Sequence, residues 1–286
     1  MRDFCDLHTH SKFSDGTASP TEIIENAVSL RLSAVALTDH NTIAGIPEFL
    51  SAAQRHNETG KIPLEAIPGV EISTAHNGKE LHMVGLFLQP EYFSTLTDFL
   101  EPFNRQKEES NRGLVARLSK DGYHLDYDEI VAQQQGSINR AVIASELMKK
   151  GYISSIKEAF RWLLIPAAGY YIPPKRLSSL EAISFLQSIH AVPILAHPFS
   201  DLSESELRAF LPEAKKAGLI AMETRYVNYT KDMSINATKI ANEFGILESG
   251  GSDYHAKNKP DIFLGIGKGS LKVPYTFVSQ LREHIK

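Results

Sequence analysis

The chain carries a single cysteine, Cys5, among its 286 residues. One thiol can build neither an internal disulfide framework nor a cysteine-rich zinc site. Long hydrophobic runs are missing as well. Candidates such as 83–88 stop after one strand's length, far short of the roughly 18–20 residues a membrane span needs. There is no long run of lysine or arginine, and the formal net charge is −4. Duplex-binding proteins draw most of their affinity from neutralised phosphates, so duplex DNA is disfavoured as a partner. A nucleotide or a short single strand of RNA, held at one end, stays open. No internal repeat or low-complexity tract is present. Met1-Arg2-Asp3-Phe4 leads into a motif within a few residues, so no signal peptide is expected. A cytoplasmic address away from any membrane is therefore expected. Oligomeric state is not legible.

What is present is ordinary for a globular chain, 42% hydrophobic and 22% charged. That suffices for one α/β barrel or two smaller domains. A strand is expected over 4–7. The helix after it opens with Ser19 as N-cap, Pro20 at the first helical position and Glu22 completing a capping box. Its apolar residues Ile23, Ile24, Ala27, Val28 and Leu30 recur at helical spacing. A second strand over 33–37 is continuously apolar, as buried parallel strands are. A helix over 43–57 and strands over 64–70 and 81–88 follow. Helical patterns then succeed one another over 96–118, 127–134, 141–149 and 156–163, punctuated by Gly122, Gly136 and Gly151. Alternation resumes with strands over 192–196, 219–223 and 246–249 between helices over 180–190, 204–217 and 230–244. Repeated β–α units predict an α/β fold with a parallel sheet or barrel. Barrel segments 1–95 and 169–286 would flank an all-helical insertion, 96–168.

Eleven histidines are present, and their placement says more than their number. His8 and His10 close the first strand, with Asp15 shortly after. His40 follows the second strand, Glu71 the third, and His82 sits at the fourth. His197, Asp253 and His255 follow later strands. In a parallel barrel the C-terminal strand ends share one face, so these nine distant residues would converge. Residues two apart on a strand point the same way, so His8 and His10 could both aim inward. His56, His76, His124, His190 and His284 fall on helices, loops or a terminus, as solvated or structural residues do. Asp6 and Asp39 adjoin ligand candidates and could orient an imidazole from behind.

The segments Asp6-Leu7-His8-Thr9-His10-Ser11 with Ser14-Asp15-Gly16, Thr38-Asp39-His40-Asn41, Pro68-Gly69-Val70-Glu71-Ile72-Ser73, Leu195-Ala196-His197-Pro198 and Gly251-Ser252-Asp253-Tyr254-His255 occur in that order. Together they resemble the motifs of the polymerase and histidinol phosphatase (PHP) family. The resemblance implies a distorted, TIM-like (β/α)7 barrel with a site for two or three divalent metals. One metal would take His8, His10, Glu71 and Asp253. A second would take Asp15, His40 and His255. A third would share Glu71 and add His82 and His197. Nitrogen and oxygen ligands without thiolate suit Mn, Fe or Zn better than Ca or Mg.

Three divalent ions bring about +6, against about −3 from Asp15, Glu71 and Asp253 with neutral histidines, so the pocket favours an anion. A phosphate ester fits. Hydroxide formed at the metals near neutral pH and held by Asp15, His40, Glu71 and Asp253 would attack phosphorus. The helical insertion resembles that of the family branch acting on AMP-like monophosphates and nucleotide 3′,5′-bisphosphates, through Asn139-Arg140 and Gly169-Tyr170-Tyr171-Ile172-Pro173-Pro174. Arg140 is the first candidate for a bidentate phosphate clamp. Lys175 and Arg225 are further candidates, and Tyr171 could stack on a base. A histidinol-phosphate phosphatase is the alternative, against which the long insertion argues. A non-catalytic metal-binding module is an alternative of another class, against which the full ligand set argues.

Overall fold

The computed structural model describes residues 3–60, 62–133, 136 and 138–285. The chain forms β1 (Phe4–Asp6), α1 (Pro20–Ser29), β2 (Ala34–Leu37), α2 (Ile46–Thr59), β3 (Glu65–His76), β4 (Lys79–Leu86), α3 (Phe93–Lys120), α4 (Tyr127–Gln133), α5 (Arg140–Lys149) and α6 (Ile156–Trp162). It continues with β5 (Leu177–Ser178), α7 (Ser179–Ser188), β6 (Val192–Leu195), α8 (Pro198–Asp201), α9 (Glu204–Ala217), β7 (Ala221–Tyr226), α10 (Lys231–Phe244), β8 (Leu247–Gly251), β9 (Val273–Pro274) and α11 (Thr276–Arg282). Gln134, expected to end the helix that is α4, lies outside the described residues. The start of α1 follows its local chemistry: Ser19 Oγ accepts from the Glu22 N–H, and the Glu22 carboxylate accepts from the Ser19 N–H. No helix among the described residues is long and apolar enough to cross a membrane.

Two compact units result, Met1–Thr97 with Leu177–Lys286, and Asp98–Arg176. In the first, the sheet runs β8-β7-β6-β4-β3-β2-β1-β9, with β5 beside β3. β1, β2 and β3 are mutually parallel, as are β6, β7 and β8. The ring closes beyond the short β9, where the chain after β1 meets β8: the Leu7 N–H donates to Gly250 O at 3.2 Å and the Asp253 N–H to His8 O at 2.9 Å. Gly251 permits this approach, since a Cβ there would stand 2.3 Å from His8 Cβ. Alternate residues of successive strands, among them Ala34 and Ala36, Val84 and Leu86, and Val192 and Ile194, form one apolar cluster. Phe277, Val278 and Leu281 of α11 complete it. Full burial of each such large side chain contributes about 1.5–3 kcal/mol.

Two strands depart from the parallel expectation, β4 and the short β9, which runs antiparallel to β1. β4 is antiparallel to both β3 and β6. Asn77 and Gly78, with φ of 49° and 79°, turn β3 directly back into β4; Asn-Gly is the favoured pair for such a two-residue hairpin. His82 therefore reaches the rim of parallel C-terminal ends from the first half of an antiparallel strand. Glu71 likewise lies within a long β3, not after it, paired with Val84.

The second unit is helical, with Leu114, Leu118, Ile130, Ile143, Leu147 and Leu164 in its own core. Residues 169–176, expected with the barrel, belong to this unit instead. Tyr171 is buried in the same core, and the Arg117 Nε–H donates to Tyr170 O at 2.6 Å.

Candidate metal centre

The strand-end residues meet around one buried carboxylate. Glu71 Oε2 lies 3.2 Å from His8 Nε2, 3.2 Å from His10 Nε2 and 3.0 Å from His40 Nδ1. Its other oxygen, Oε1, lies 2.8 Å from His82 Nδ1 and 3.2 Å from His197 Nε2. Asp253 Oδ1 stands 3.4 Å from both His10 Nε2 and His255 Nδ1, and His255 Nε2 is 3.0 Å from Asp15 Oδ1. All nine residues thus join one network. Local backbone strain accompanies it: His197 has φ 29° and Asp253 φ 55°, conformations that non-glycine residues rarely adopt and that gather at functional sites.

The donor set fits divalent cations. Glu71 Oε2, His10 Nδ1 and His40 Nδ1 are buried yet have no aligned hydrogen-bond partner among the described residues. Lone pairs that approach so closely without pointing at one another suit a shared ion. Three sets have donor atoms within 4.8 Å of one another: His10, Asp15, His40 and His255; His8, His10 and Glu71; and His40, Glu71 and His82. Ligands about 2.0–2.2 Å from a common ion lie up to about 4.4 Å apart, close to these separations.

The charges are strongly coupled. Burial alone would raise the Glu71 carboxyl, but the imidazoles of His40, His8 and His82 hold it well below the usual carboxylate range. Asp253 is likewise depressed, burial being overcome by the His10 hydrogen bond and by His255 and His8. Burial opposes the charging of His10, yet the adjacent Asp253 and Glu71 carboxylates raise it to about 9. His82 rises to about 10 against burial, through the charge of Glu71 and the hydrogen bond to it. Burial wins at His40, which falls to about 3.

Asp6 and Asp39 brace loops and not imidazole rings. Asp6 Oδ1 accepts from the backbone N–H groups of His8 at 3.3 Å and Ser252 at 2.9 Å, while Oδ2 accepts from the Gly265 N–H at 2.7 Å. Asp39 accepts from the Ser11 N–H at 2.7 Å and the Ser14 hydroxyl at 2.5 Å. The loop carrying His10 and Asp15 is thereby tied to β2.

Arg225 is not in the cluster. The β7–β8 register shifts between Glu223 and Arg225, and such a bulge inverts the alternation of faces. The Arg225 guanidinium donates to Thr238 Oγ1 at 2.8 Å on α10 and approaches Glu248 at 3.5 Å. In the helical unit, Arg140 donates from Nη1 to Leu164 O at 3.0 Å, and its guanidinium lies 4.3 Å from the Tyr171 ring centroid. Tyr171 is packed as a core residue and is no open platform for a base. Lys175 is exposed in the same unit.

Three contributors escaped the sequence reading. Glu223 is buried and receives the His8 Nδ1–H at 2.8 Å. Tyr226 and Lys259 both reach Asp253 Oδ2. Glu223 closes the strand expected over 219–223, so the strand-end criterion could have selected it. Tyr226 is turned inward by the bulge, which nothing in the sequence announces.

Residues 6–172 match the PHP domain. Over 251 residues the chain is 32% identical to a 5′-3′ exoribonuclease of Haemophilus influenzae, spanning 87% of this chain and 89% of that protein. It is 28% identical to a 3′,5′-nucleoside bisphosphate phosphatase of Chromobacterium violaceum, over 88% of this chain and 87% of that one. A solved Bifidobacterium adolescentis structure, assigned as a metal-dependent phosphoesterase, aligns with a TM-score of 0.81 at 26% identity, covering 98% of this chain and 96% of that chain. With the domain match alone spanning more than half of its length, the chain belongs to the PHP-domain family.

Proposed function

We propose that the chain is a metal-dependent hydrolase of phosphate esters, acting on a nucleotide-sized substrate at the Glu71 cluster. The observation that carries this reading is the convergence of five imidazoles on one buried carboxylate, one of whose oxygens has no aligned hydrogen bond. Two or three divalent ions, of Mn, Fe or Zn, would be held there. His10, Asp15, His40 and His255 form one ligand group. His8, His10 and Glu71, with Asp253 beside them, form a second, and Glu71 with His82 and His197 or His40 a third. Bound divalent ions would polarise phosphoryl oxygens and lower the pKa of water towards about 7.

The protein's own residues set the direction of approach. His8 and His10 are fully buried at the floor, whereas the side chains of Asp15, His40 and His82 are 21%, 17% and 18% exposed. A phosphate group would enter over that exposed edge. The depressed Asp15, Glu71 and Asp253 carboxyls stay ionised at neutral pH and retain cations at that edge and at the floor.

Relatives named for exoribonuclease and nucleoside bisphosphate phosphatase activities favour an AMP-like monophosphate, a nucleotide 3′,5′-bisphosphate or a short oligonucleotide end. The test is the Mn-loaded protein assayed on AMP, 3′-phospho-AMP, short 5′-phosphorylated RNA and histidinol phosphate, beside His8→Ala. Turnover of a nucleotide substrate that is lost in His8→Ala is expected. Exclusive turnover of histidinol phosphate would replace the substrate reading. No turnover of any ester at full metal occupancy would refute it.

A further inference from the structure

Three imidazoles of the cluster stand between Glu71 and an outer carboxylate. His82 has Glu80 at 3.4 Å, His197 has Asp201 at 3.3 Å, and His8 has Glu223 at 2.8 Å. The outer partners differ in burial. The Glu80 and Asp201 side chains are 43% and 30% exposed, and that of Glu223 only 2%. Water competes for the first two and is kept from the third.

Glu223 also has two tasks. Its Oε1 accepts the His8 Nδ1–H at 2.8 Å, and its Oε2 accepts the His197 backbone N–H at 2.7 Å. The first bond fixes the His8 tautomer and leaves Nε2 facing Glu71 Oε2 and His10 Nε2. The second holds the main chain at a residue whose φ is 29° and ψ 51°. That geometry is strained for a residue with a Cβ and persists only when its surroundings enforce it. His8 and His197 lie in different proposed ligand groups, so one carboxylate reaches two of them.

We propose that Glu223 is a positioning residue that couples two metal sites, setting the ligating nitrogen of His8 and the backbone pose of His197 together. The inference rests on the reading that the cluster binds divalent ions. It makes an unusual demand on the side chain, which must accept two N–H bonds on two different oxygens. Glutamine has the same shape but one acceptor oxygen. Glu223→Gln must therefore either set its NH2 against the His197 N–H or against the His8 Nδ1–H. In the second case His8 can accept at Nδ1 only by carrying its proton on Nε2, which removes that nitrogen from ligation.

The experiment is a chelator-competed Zn titration of wild type and Glu223→Gln, with melting curves of both metal-free proteins to establish folding. Wild type should bind two or three ions. Glu223→Gln should keep one tight site, that of His10, Asp15, His40 and His255, and lose affinity about 10–100-fold at the others, the range seen when such outer partners are removed. Equal affinity at every site would overturn the proposal. Wild type that binds no metal would instead sink the underlying metal reading. Should the variant not fold, 15N NMR of Zn-loaded wild type, with the His8 signal assigned by its loss in His8→Asn, decides. A proton on His8 Nδ1 is required; a proton on Nε2 contradicts the proposal.

Discussion

The Tyr226 hydroxyl donates to Asp253 Oδ2 at 2.9 Å, and Lys259 Nζ meets the same oxygen at 2.6 Å. Asp253 therefore has one oxygen among the histidines and one held from behind. Tyr226→Phe keeps the ring, whose centroid is 5.2 Å from that of His197, and removes only the hydroxyl. Metal affinity should fall by about tenfold or somewhat more, read by chelator competition. The Lys259→Ala effect should not add to it, because both groups act on one oxygen. Strict additivity in the double variant would show that they act separately.

Arg225 gives a contrasting case. With its guanidinium on Thr238 and Glu248, Arg225→Ala should leave KM for the phosphate substrate unchanged. Stability should fall by about 0.5–1.5 kcal/mol, as for a typical hydrogen bond. Denaturant titration and steady-state kinetics measure the two effects. A several-fold rise in KM at unchanged stability would return Arg225 to the substrate.

Gly251 tests barrel closure. A Cβ there would lie 2.3 Å from His8 Cβ and 2.5 Å from His8 N, and a backbone neighbour cannot move aside cheaply. Gly251→Ala should cost about 1–3 kcal/mol or more, as overpacking does, and should disturb His8. A melting temperature equal to wild type, with full metal content, would contradict the closure described.

The metal-free protein should weaken in alkali. His10 and His82 rise from 6.5 to about 9 and about 10 on folding. A raised pKa stabilises fully below the unfolded value of about 6.5 and is lost as pH passes the folded value. Chelated protein should therefore lose stability between about pH 7 and 10, measured by urea unfolding. Metal binding must displace those protons, so calorimetry at pH 7.5 in two buffers should report proton release. Equal apparent enthalpies after correction for metal–buffer binding would argue against it.

The convergence of the candidate ligands was legible because they obey a simple rule. His8, His40, His197 and His255 each follow a strand, and parallel strands share a rim. Legibility failed where local geometry broke periodicity. The Asn77-Gly78 turn reverses β4, so His82 arrives by another route than the rule supplies. The bulge at Thr224 exchanges the faces of Arg225 and Tyr226, since one extra residue inverts a period of two. At Tyr171 the sequence does not decide between stacking on a base and packing in a core, because its partners, Arg140 and Leu164 among them, come from distant turns of the helical unit.

The most direct measurement is a metal count by mass spectrometry on purified wild type and Glu71→Gln, paired with phosphate-ester turnover. Glu71 touches five imidazoles, and its amide would carry no charge to hold cations. Wild type should contain two or three divalent ions per chain. Glu71→Gln should contain at least one fewer and lose turnover by about 1000-fold or more, a few kcal/mol of transition-state stabilisation. Unchanged metal content and turnover in Glu71→Gln would contradict a metal centre built around this carboxylate.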